Sequence, residues 1–401
     1  MNEKIIIIGG GPAGLFCAYH LLQNGHQIDL YDQMAGLGKK FLVAGKGGLN
    51  LTHSEDSNIF CTRYAKNEIF FRELIESFSA QDLRSWCREL GVETFIGSSG
   101  RVFPVKLKAA EMLNLWIEKL KSYATFRLFL RHRLIDLSQQ KVLTFQNEHE
   151  TFSVQASKVI FALGGASWEK TGSDGKWKEI FNRINIKTIP FLPMNCGFER
   201  PWSEYFIKKT EGKPLKNIML EIEGHQVKGE MMFTSFGLEG GAIYFLSRSI
   251  RNSIITNGSA LLKVDLKPDL SFSSVLEKLR GKKKKDSLSN HLRKSLKLNQ
   301  VAYSLLNEFL DSFQMRDVNC LAKNIKGLEI QLFAARPLAE AISTSGGVSL
   351  KGLSKDLEVI CIPGMYIVGE MLDFDAPTGG YLLQGCFSSA WRVVTSLLKN
   401  K

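Results

Sequence analysis

Short apolar runs near the start of the chain predict a buried parallel sheet. Residues 4–8 are a lysine and four isoleucines, and the run leads directly into glycine. A run that is apolar at every position is typical of a strand covered on both faces. The pattern predicts a helix over residues 15–24, stopped by Gly25, and a second strand over residues 26–31. This order indicates an α/β fold.

The middle of the chain has a different periodicity. Apolar residues alternate at Ile218, Leu220 and Ile222, and a second apolar run follows the turn at Gly224, which predicts a hairpin over residues 217–233. Apolar residues alternate again over residues 260–266. Residues 240–255 predict a helix between these strands. From residue 271 to residue 325 the spacing becomes helical and predicts four short helices. The middle of the chain is therefore expected to hold a β-rich part and a helical part.

The glycines after the first strand have the spacing G-x-G-x-x-G, which is typical of dinucleotide-binding turns. Gly9 suits the tight turn, Gly11 stands where a side chain would block a pyrophosphate, and Gly14 stands where helix and strand must pack closely. The following helix directs its positive end and free N–H groups at the phosphates. Asp32, after the second strand, is placed to bind both ribose hydroxyls and to repel a 2′-phosphate. The pattern therefore predicts FAD or NAD rather than NADP.

Later segments favour FAD over NAD. Two more buried strands are predicted over residues 158–163 and 363–368, and each is followed by glycine. The second strand ends in Gly369 and Glu370, where an acid can bind the ribityl and phosphate side of FAD. A helix opened by Gly380 can direct N–H groups at the N1/C2=O edge of a flavin, which gains negative charge on reduction. The sequence has no second G-x-G-x-x-G, so no dedicated nicotinamide domain is expected.

Composition excludes several other classes of protein. Cysteines and histidines have no metal-binding spacing, so no metal is predicted. No stretch approaches the ~18 apolar residues of a membrane span and no secretory signal is recognisable, so we expect a cytoplasmic protein without a membrane partner. The net charge is +12, and residues 278–297 hold nine Lys or Arg against one acid. No nucleic-acid module accompanies them, so we interpret this segment as a solvated loop and expect no nucleic-acid partner.

Longer motifs carry a family resemblance. They are GKKFLVAGKGGLNLTHSE (38–55), GRVFP (100–104), KAAEML (108–113), ALGGAS (162–167), PMNCGF (193–198), FGLEGGAIY (236–244), SGGV (345–348) and GEMLD with GGYLLQ (369–384). Together they make the chain resemble the bacterial three-domain FAD-dependent oxidoreductases of the BaiN-like, or YhiN-like, family, which includes an aminoacetone oxidase. The GLEGGAIY variant is similar to the YhiN-type branch. Lys39 departs from the family, in which arginine is usual, so its contact with phosphate or flavin is expected to be monodentate.

The resemblance implies three domains. They are a Rossmann-type FAD-binding domain formed by both chain ends (1–190 and 342–401), a β-rich, barrel-like domain (191–270 and 326–341) and a small helical domain (271–325). The changes of periodicity agree with this division.

The motifs and the resemblance together give the residues expected to bind FAD. They are Gly9, Gly11, Pro12, Ala13, Gly14, Asp32, Gly38, Lys39, Lys40, Asn50, Leu134, Ala162, Gly164, Gly165, Gly369, Glu370, Asp373, Gly380, Tyr381 and Leu382. The flavin carries the hydride chemistry, whereas the protein supplies orientation, electrostatics and a proton. Asn50 and His53 are the catalytic candidates, because a polar loop at residues 45–54 could line the flavin and a histidine can act as acid or base near neutral pH. A structural role for His53 is the alternative.

Three functions remain open at this point. The first is an FAD-dependent oxidoreductase that transfers hydride at flavin N5 to a small organic substrate, as a reductase drawing on transiently bound NAD(P)H. The second is a flavin oxidase that produces hydrogen peroxide from a small amine. The third is non-enzymatic: a flavin sensor, or an RNA-associated flavoprotein that uses the lysines at residues 282–285.

Overall fold

A computed structural model describes residues 4–399 of the chain. Its strands are β1 (Lys4–Ile8), β2 (Gln27–Asp32), β3 (Thr52–His53), β4 (Thr94–Ile96), β5 (Arg101–Pro104), β6 (Phe126–Leu130), β7 (Arg133–Leu137), β8 (Val142–Gln146), β9 (Thr151–Gln155), β10 (Lys158–Phe161), β11 (Thr188–Met194), β12 (Phe198–Glu199), β13 (Pro214–Ile222), β14 (His225–Thr234), β15 (Gly237–Glu239), β16 (Ala260–Asp265), β17 (Leu328–Leu332), β18 (Ala334–Ala335), β19 (Ser343–Val348) and β20 (Met365–Ile367). Its α-helices are α1 (Pro12–Gln23), α2 (Lys39–Ala44), α3 (Ser57–Thr62), α4 (Glu68–Ser77), α5 (Ala80–Glu89), α6 (Ala109–Lys121), α7 (Trp177–Arg183), α8 (Glu204–Thr210), α9 (Gly241–Asn257), α10 (Phe272–Arg280), α11 (Leu288–Ser295), α12 (Gln300–Phe309), α13 (Val318–Gly327) and α14 (Tyr381–Lys399).

The chain divides into two compact units. The first contains the chain up to Pro193 together with the chain from Leu338 onward, and the second runs from Met194 to Pro337. The further division into a β-rich and a helical domain, with boundaries at residues 270/271 and 325/326, stays a prediction.

The first unit is built on a five-stranded parallel sheet in the order β20-β10-β1-β2-β6. The central strand β1 is covered on both faces, and its four isoleucines are at most 2% exposed, as expected of an apolar strand in a parallel sheet. Helix α1 packs on this sheet and against α14, and all its residues from Ala13 to Leu22 are buried. The predicted α/β fold, with a Rossmann-type domain contributed by both chain ends, is confirmed.

The second unit contains a seven-stranded antiparallel sheet in the order β17-β16-β13-β14-β15-β12-β18. The predicted hairpin is β13 with β14; Glu223 and Gly224 join the strands with φ of 48° and 78°, which is the geometry of a type I′ turn. The edge strands β17 and β18 are separated only by Phe333, so one short stretch of chain joins the two edges, as expected of a barrel-like sheet. Helices α10–α13 account for the four predicted short helices.

Some element bounds differ from the predictions. The helix predicted from residue 15 begins at Pro12, because proline is well tolerated in the first turn of a helix. The strand predicted over residues 158–163 ends at Phe161, and the one predicted over 363–368 covers only Met365–Ile367. In both places the chain leaves the sheet where it enters the glycine-rich turns that line the site.

Candidate cofactor site

A cavity of about 610 Å³ lies in the first unit at the carboxyl ends of the central strands. Ile8 pairs with Tyr31 on one side and with Phe161 on the other, so the residues that follow these three strands meet at one edge of the sheet. Gly9, which follows β1, and Asp32, the last residue of β2, both line the cavity at this edge. In open α/β sheets, ligands bind outside the carboxyl ends of the strands. The volume is in the range of small-molecule and cofactor sites.

The three motif glycines have three different surroundings. A Cβ atom built on Gly9 would lie 2.3 Å from the carbonyl oxygen of Ala162, and one built on Gly14 would lie 2.0 Å from the carbonyl oxygen of Gly9. Those two positions are closed by neighbouring backbone. A Cβ built on Gly11 would have no atom within 4 Å, although Gly11 lines the cavity. The space beside Gly11 is thus left open, as a pyrophosphate there would require.

The first turn of α1 is not capped by a side chain. Gly11 stands at its N-cap position and makes no side-chain hydrogen bond. Unsatisfied N–H groups at a helix N-terminus attract anions. The N-terminus of α1 therefore suits the phosphates of a dinucleotide.

Asp32 lies at the cavity edge with a largely buried carboxylate. It accepts hydrogen bonds from the backbone N–H groups of Gly10 and Met34, both at 2.7 Å. Burial raises the pKa of Asp32, whereas these two hydrogen bonds and the nearby charge of Lys39 oppose the rise. The carboxylate is held in place beside the glycine turn, as recognition of ribose hydroxyls requires.

Lys40 and Glu370 form an ion pair that joins two distant parts of the sequence. Lys40 Nζ lies 2.7 Å from Glu370 Oε2 and donates to Ser167 Oγ at 2.8 Å. Thr344 N–H donates to Glu370 Oε1 at 3.1 Å. A Cβ on Gly165 would lie 1.8 Å from Thr344 Oγ1, so this glycine allows the network to pack. The amine of Lys40 is thus engaged by the protein, although the residue lines the cavity.

Most residues predicted to bind the cofactor line this cavity. They are Gly9, Gly11, Pro12, Ala13, Asp32, Gly38, Lys39, Lys40, Leu134, Ala162, Gly164, Gly369, Glu370 and Leu382. The others do not line it. They are Gly14, Asn50, Gly165, Asp373, Gly380 and Tyr381, together with the catalytic candidate His53. The assignment of individual residues to FAD stays a prediction.

A polar cluster surrounds the start of α14. Tyr381 donates its hydroxyl hydrogen to Glu55 at 2.6 Å, and Arg63 binds the same carboxylate through two nitrogens at 2.8 and 3.1 Å. Burial raises the pKa of Glu55, but the hydrogen bonds from Arg63 and Tyr381 outweigh it, so the net pKa is lowered. Burial, and then Glu55, raise the pKa of Tyr381. The pair therefore stays as a protonated phenol bonded to a carboxylate.

His53 stacks on Tyr381, with ring centroids 5.4 Å apart. Its Nε2 lies 2.9 Å from the carbonyl oxygen of Ser99, and its Nδ1 accepts from the N–H of Glu55 at 3.1 Å. Both ring nitrogens thus have protein partners. This arrangement matches the structural alternative, and a catalytic role for His53 stays a prediction.

Three buried oxygens next to this cluster have no hydrogen-bond partner among residues 4–399. They are Asn50 Oδ1, Thr52 Oγ1 and Thr378 Oγ1. A Cβ on Gly380 would lie 2.5 Å from Thr52 Cα, so the chain passes very closely there. Ser173 Oγ, in the cavity wall, is likewise without a partner. Buried polar atoms are normally satisfied. Ser173 Oγ fits a bound nucleotide that supplies its missing partner, whereas Asn50, Thr52 and Thr378 do not line the cavity.

Comparison with known proteins identifies the family. The family model described as "HI0933-like protein Rossmann domain" matches residues 3–396. The chain belongs to the HI0933-like family. Among curated relatives, the ribosomal RNA dihydrouridine synthase of Escherichia coli is 25% identical over 99% of this chain and 98% of its own. The 3-dehydro-bile acid delta(4,6)-reductase of Clostridium scindens is 24% identical over 97% of each chain.

Solved structures share the fold of this HI0933-like protein at low identity. The match to a 3-ketosteroid delta1-dehydrogenase from Sterolibacterium denitrificans covers 100% of this chain and 100% of the dehydrogenase chain, with a TM-score of 0.54 and 11% identity. A flavocytochrome c3 fumarate reductase covers 99% of this chain and 78% of its own, with a TM-score of 0.54 and 14% identity. The predicted BaiN-like/YhiN-like resemblance is confirmed. The family match, the reductase relative and the shared fold support an FAD-dependent oxidoreductase.

Sequence reasoning missed most of one wall of the cavity of this family member and predicted only Leu134 in it. The missed residues include His132, just before β7, Arg133 at its start, and Trp177 and Arg183 of α7. Trp177 Nε1 donates to the carbonyl oxygen of Gly164 at 2.9 Å, which ties α7 to the glycine turn after β10. No motif marks these positions.

Cys386 was also missed as a lining residue, although a signal existed. It lies one helical turn after Leu382 and Leu383, so all three share a face of α14 that lines the cavity. Burial, and then Glu370, raise the pKa of its thiol to about 12. The thiol therefore stays protonated, and its role is to pack.

Two other kinds of feature are absent from the described residues. Residues 4–399 contain no cluster of three or more His, Cys, Asp or Glu able to hold a metal ion. Within the same residues no helix is long and apolar enough to cross a membrane.

Proposed function

We propose that this FAD-dependent oxidoreductase is a reductase that adds two hydrogens to a carbon–carbon double bond conjugated with a carbonyl group. The observation that carries the proposal is that two differently named relatives each align over nearly the whole chain. Dihydrouridine differs from uridine by two hydrogens on the C5–C6 bond, next to the C4 carbonyl. A delta(4,6)-reductase acts on double bonds conjugated with a steroid ketone. The shared chemistry is hydride addition to the carbon β to a carbonyl, with a proton added at the α carbon.

The site residues support this chemistry by binding and orientation. Bound FAD would supply the hydride from N5 of the reduced flavin. The N-terminus of α1 and Asp32 would hold the phosphates and the adenosine ribose. Ser173 would offer its unpartnered hydroxyl, which lies in the cavity wall, as a hydrogen-bonding group to the bound nucleotide. The bond from Tyr381 to Glu55 fixes the first turn of α14.

The electron donor in this proposal is NAD(P)H that binds transiently. The sequence has a single dinucleotide fingerprint, and FAD would occupy it. Each double bond reduced consumes one NAD(P)H and one proton and releases NAD(P)⁺. A donor that binds and leaves needs no nucleotide-binding domain of its own.

Uridine in ribosomal RNA is the substrate we favour within this class. The relatives from Escherichia coli and Haemophilus influenzae are both named for ribosomal RNA and match over 98% or more of this chain. The charge of the chain agrees with a polyanionic substrate, because it is +12 overall and concentrated in one segment. This proposal departs from the expectation that nucleic acid is no partner, which stays untested.

The first test follows the flavin absorbance of the FAD-loaded protein without oxygen. NADH or NADPH should bleach it, and the reduced flavin should then be reoxidised by an unmodified ribosomal RNA transcript, with dihydrouridine found by mass spectrometry. Reoxidation by a 3-oxo-4,6-diene steroid but not by RNA would retain the reductase and remove the RNA substrate. A flavin that is bleached only by a small amine such as aminoacetone, with peroxide formed in air, would establish the oxidase instead. A flavin that no donor reduces would leave the non-enzymatic sensor.

A further inference from the structure

The seven residues between α10 and α11 form a loop that presents four consecutive lysines to solvent. Lys282, Lys283, Lys284 and Lys285 are all exposed, as are the other five Lys and Arg within residues 278–297. The only acid in this segment, Asp286, pairs with Lys294 at 3.6 Å. The four loop lysines make no ion pair with any residue from 4 to 399.

The fold of the helical segment does not need these charges. Val275 and Leu279 of α10 and Leu292 of α11 are buried and form the packing faces of the two helices. His291 Nε2 donates to the carbonyl oxygen of Lys278 at 2.8 Å, which fixes the ends of the loop relative to each other. The loop therefore presents exposed charge between two helices that pack through apolar residues.

Helix dipoles do not explain the loop lysines. Basic residues in the last turn of a helix interact favourably with its dipole, and this accounts for Lys278 and Arg280 in α10 and for Arg293 and Lys294 in α11. The lysines at 282–285 lie outside both helices and repel one another. Four adjacent like charges without counter-ions attract a polyanion.

We propose that this lysine loop, residues 281–287, is a contact surface for the phosphate backbone of RNA. The inference rests on the proposed function, in which ribosomal RNA is the substrate. The loop itself contains no apolar side chain, so it offers charge without the groups that would insert into a lipid surface. Phosphate contacts position a nucleic acid without reading its sequence.

The test compares two variants with equal net charge. In the loop variant, Lys282, Lys283, Lys284 and Lys285 are changed to Gln. In the control variant four exposed lysines of the first unit are changed to Gln, and these are Lys119, Lys121, Lys351 and Lys355. Both variants fall from +12 by four charges. Binding of a fluorescein-labelled RNA hairpin with a uridine loop is measured by anisotropy as a function of salt, with the FAD-loaded protein.

The loop variant should bind the hairpin at least ~10-fold more weakly than the control at about 50 mM salt, and the slope of log K against log salt should fall by roughly 3. Equal binding by the two variants, or no binding by the unmodified protein, would overturn the inference. The inference would also be overturned if the loop variant lost binding to phosphatidylglycerol vesicles but bound RNA as well as the control variant does.

Catalysis is scored separately from binding. Flavin bleaching by NAD(P)H should be the same in both variants. If the unmodified protein binds RNA through the loop but forms no dihydrouridine, the proposed substrate fails and the RNA surface stands. If dihydrouridine forms equally in both variants and RNA binding is equal, the surface fails and the proposed function stands.

Discussion

Helix α1 of the first unit and helix α11 of the second differ in how many of their residues are buried. Every residue of α1 from Ala13 to Leu22 is buried, whereas only His291 and Leu292 of α11 are. In α1 the neighbouring backbone and the cavity restrict almost every position. In α11 an apolar stripe is enough for folding, so its outer face is free to carry charge. Sequence patterns in the first unit therefore indicate its fold and cofactor, whereas the exposed charges in the second unit are the basis for the proposed partner.

The largest effect is expected when two glycines at the start of α1 are each changed to valine. In Gly14→Val the new side chain would meet the carbonyl oxygen of Gly9, because even a Cβ would lie 2.0 Å away. We expect the free energy of unfolding to fall by about 3 kcal/mol or more, or the protein to be insoluble. In Gly11→Val the side chain would enter open space. We expect the protein without FAD to keep its stability, while FAD binds at least ~100-fold more weakly, a loss of ~3 kcal/mol.

Urea unfolding of the protein without FAD and titration with FAD measure the two effects independently. Gly352→Val is the control, because a Cβ there also meets no atom and the residue does not line the cavity. If Gly11→Val lowers stability as much as Gly14→Val does, the two glycines do not have separate roles.

The second prediction compares buried and exposed charge within the first unit. Lys40→Gln leaves the carboxylate of Glu370 buried without its cation, and removing one partner of a buried pair costs about 3 kcal/mol. The double variant Lys40→Gln/Glu370→Gln should recover more than half of that loss in urea unfolding. The control is Lys66→Gln, which breaks an ion pair with Asp373 in which the lysine side chain is 65% exposed, and it should cost at most ~1 kcal/mol. Equal losses for Lys40→Gln and Lys66→Gln would contradict a structural role for the buried pair.

The third prediction concerns acid sensitivity of the first unit. His20 is buried among Phe16, Trp86 and Trp391, and burial lowers its pKa from 6.5 to about 4. The unfolded chain binds a proton at His20 below pH 6.5, and the folded chain resists it until about pH 4, so stability falls as the pH falls through this window. The loss reaches about 3 kcal/mol at the lower end.

The matched variant for this prediction is His20→Leu, which keeps the volume and removes the titration. Urea unfolding at several pH values should show a smaller loss in the variant than in the unmodified protein between pH 6.5 and 4. Parallel curves would mean that carboxylates alone cause the acid sensitivity.

The contrast between the two units also explains what could be predicted from sequence. The glycine turn, Asp32 and the helix after Gly380 were predictable, because close backbone approach and helix termini restrict the residue type locally. Apart from Leu134, the wall that contains His132 and Trp177 was not, because β7 and α7 reach the cavity through tertiary packing and their residue types are not restricted. Asn50 and His53 were placed by their polar character, and the structure sets both outside the cavity wall.

In the helical segment the sequence predicted helices and charge but not what the charge does. Apolar spacing at positions such as Val275, Leu279 and Leu292 is sufficient for the helices, and the structure confirms that these residues are buried. Exposure of Lys282–Lys285 follows from composition alone, since lysine is rarely buried. A partner leaves no mark on helical periodicity, so only the absence of counter-ions in the folded chain points to one.

The smallest effect is expected where the second unit is most charged. Changing the four lysines of the lysine loop to Gln removes no buried contact, because all four are exposed and none has an ion-pair partner among residues 4–399. Surface changes of this kind shift stability by at most about 0.5 kcal/mol each, and relief of mutual repulsion should make the net change zero or slightly stabilising. Urea unfolding at low salt measures it. A loss above about 2 kcal/mol would show that the lysines maintain the fold of the helical segment, and the contrast with the first unit would then fail.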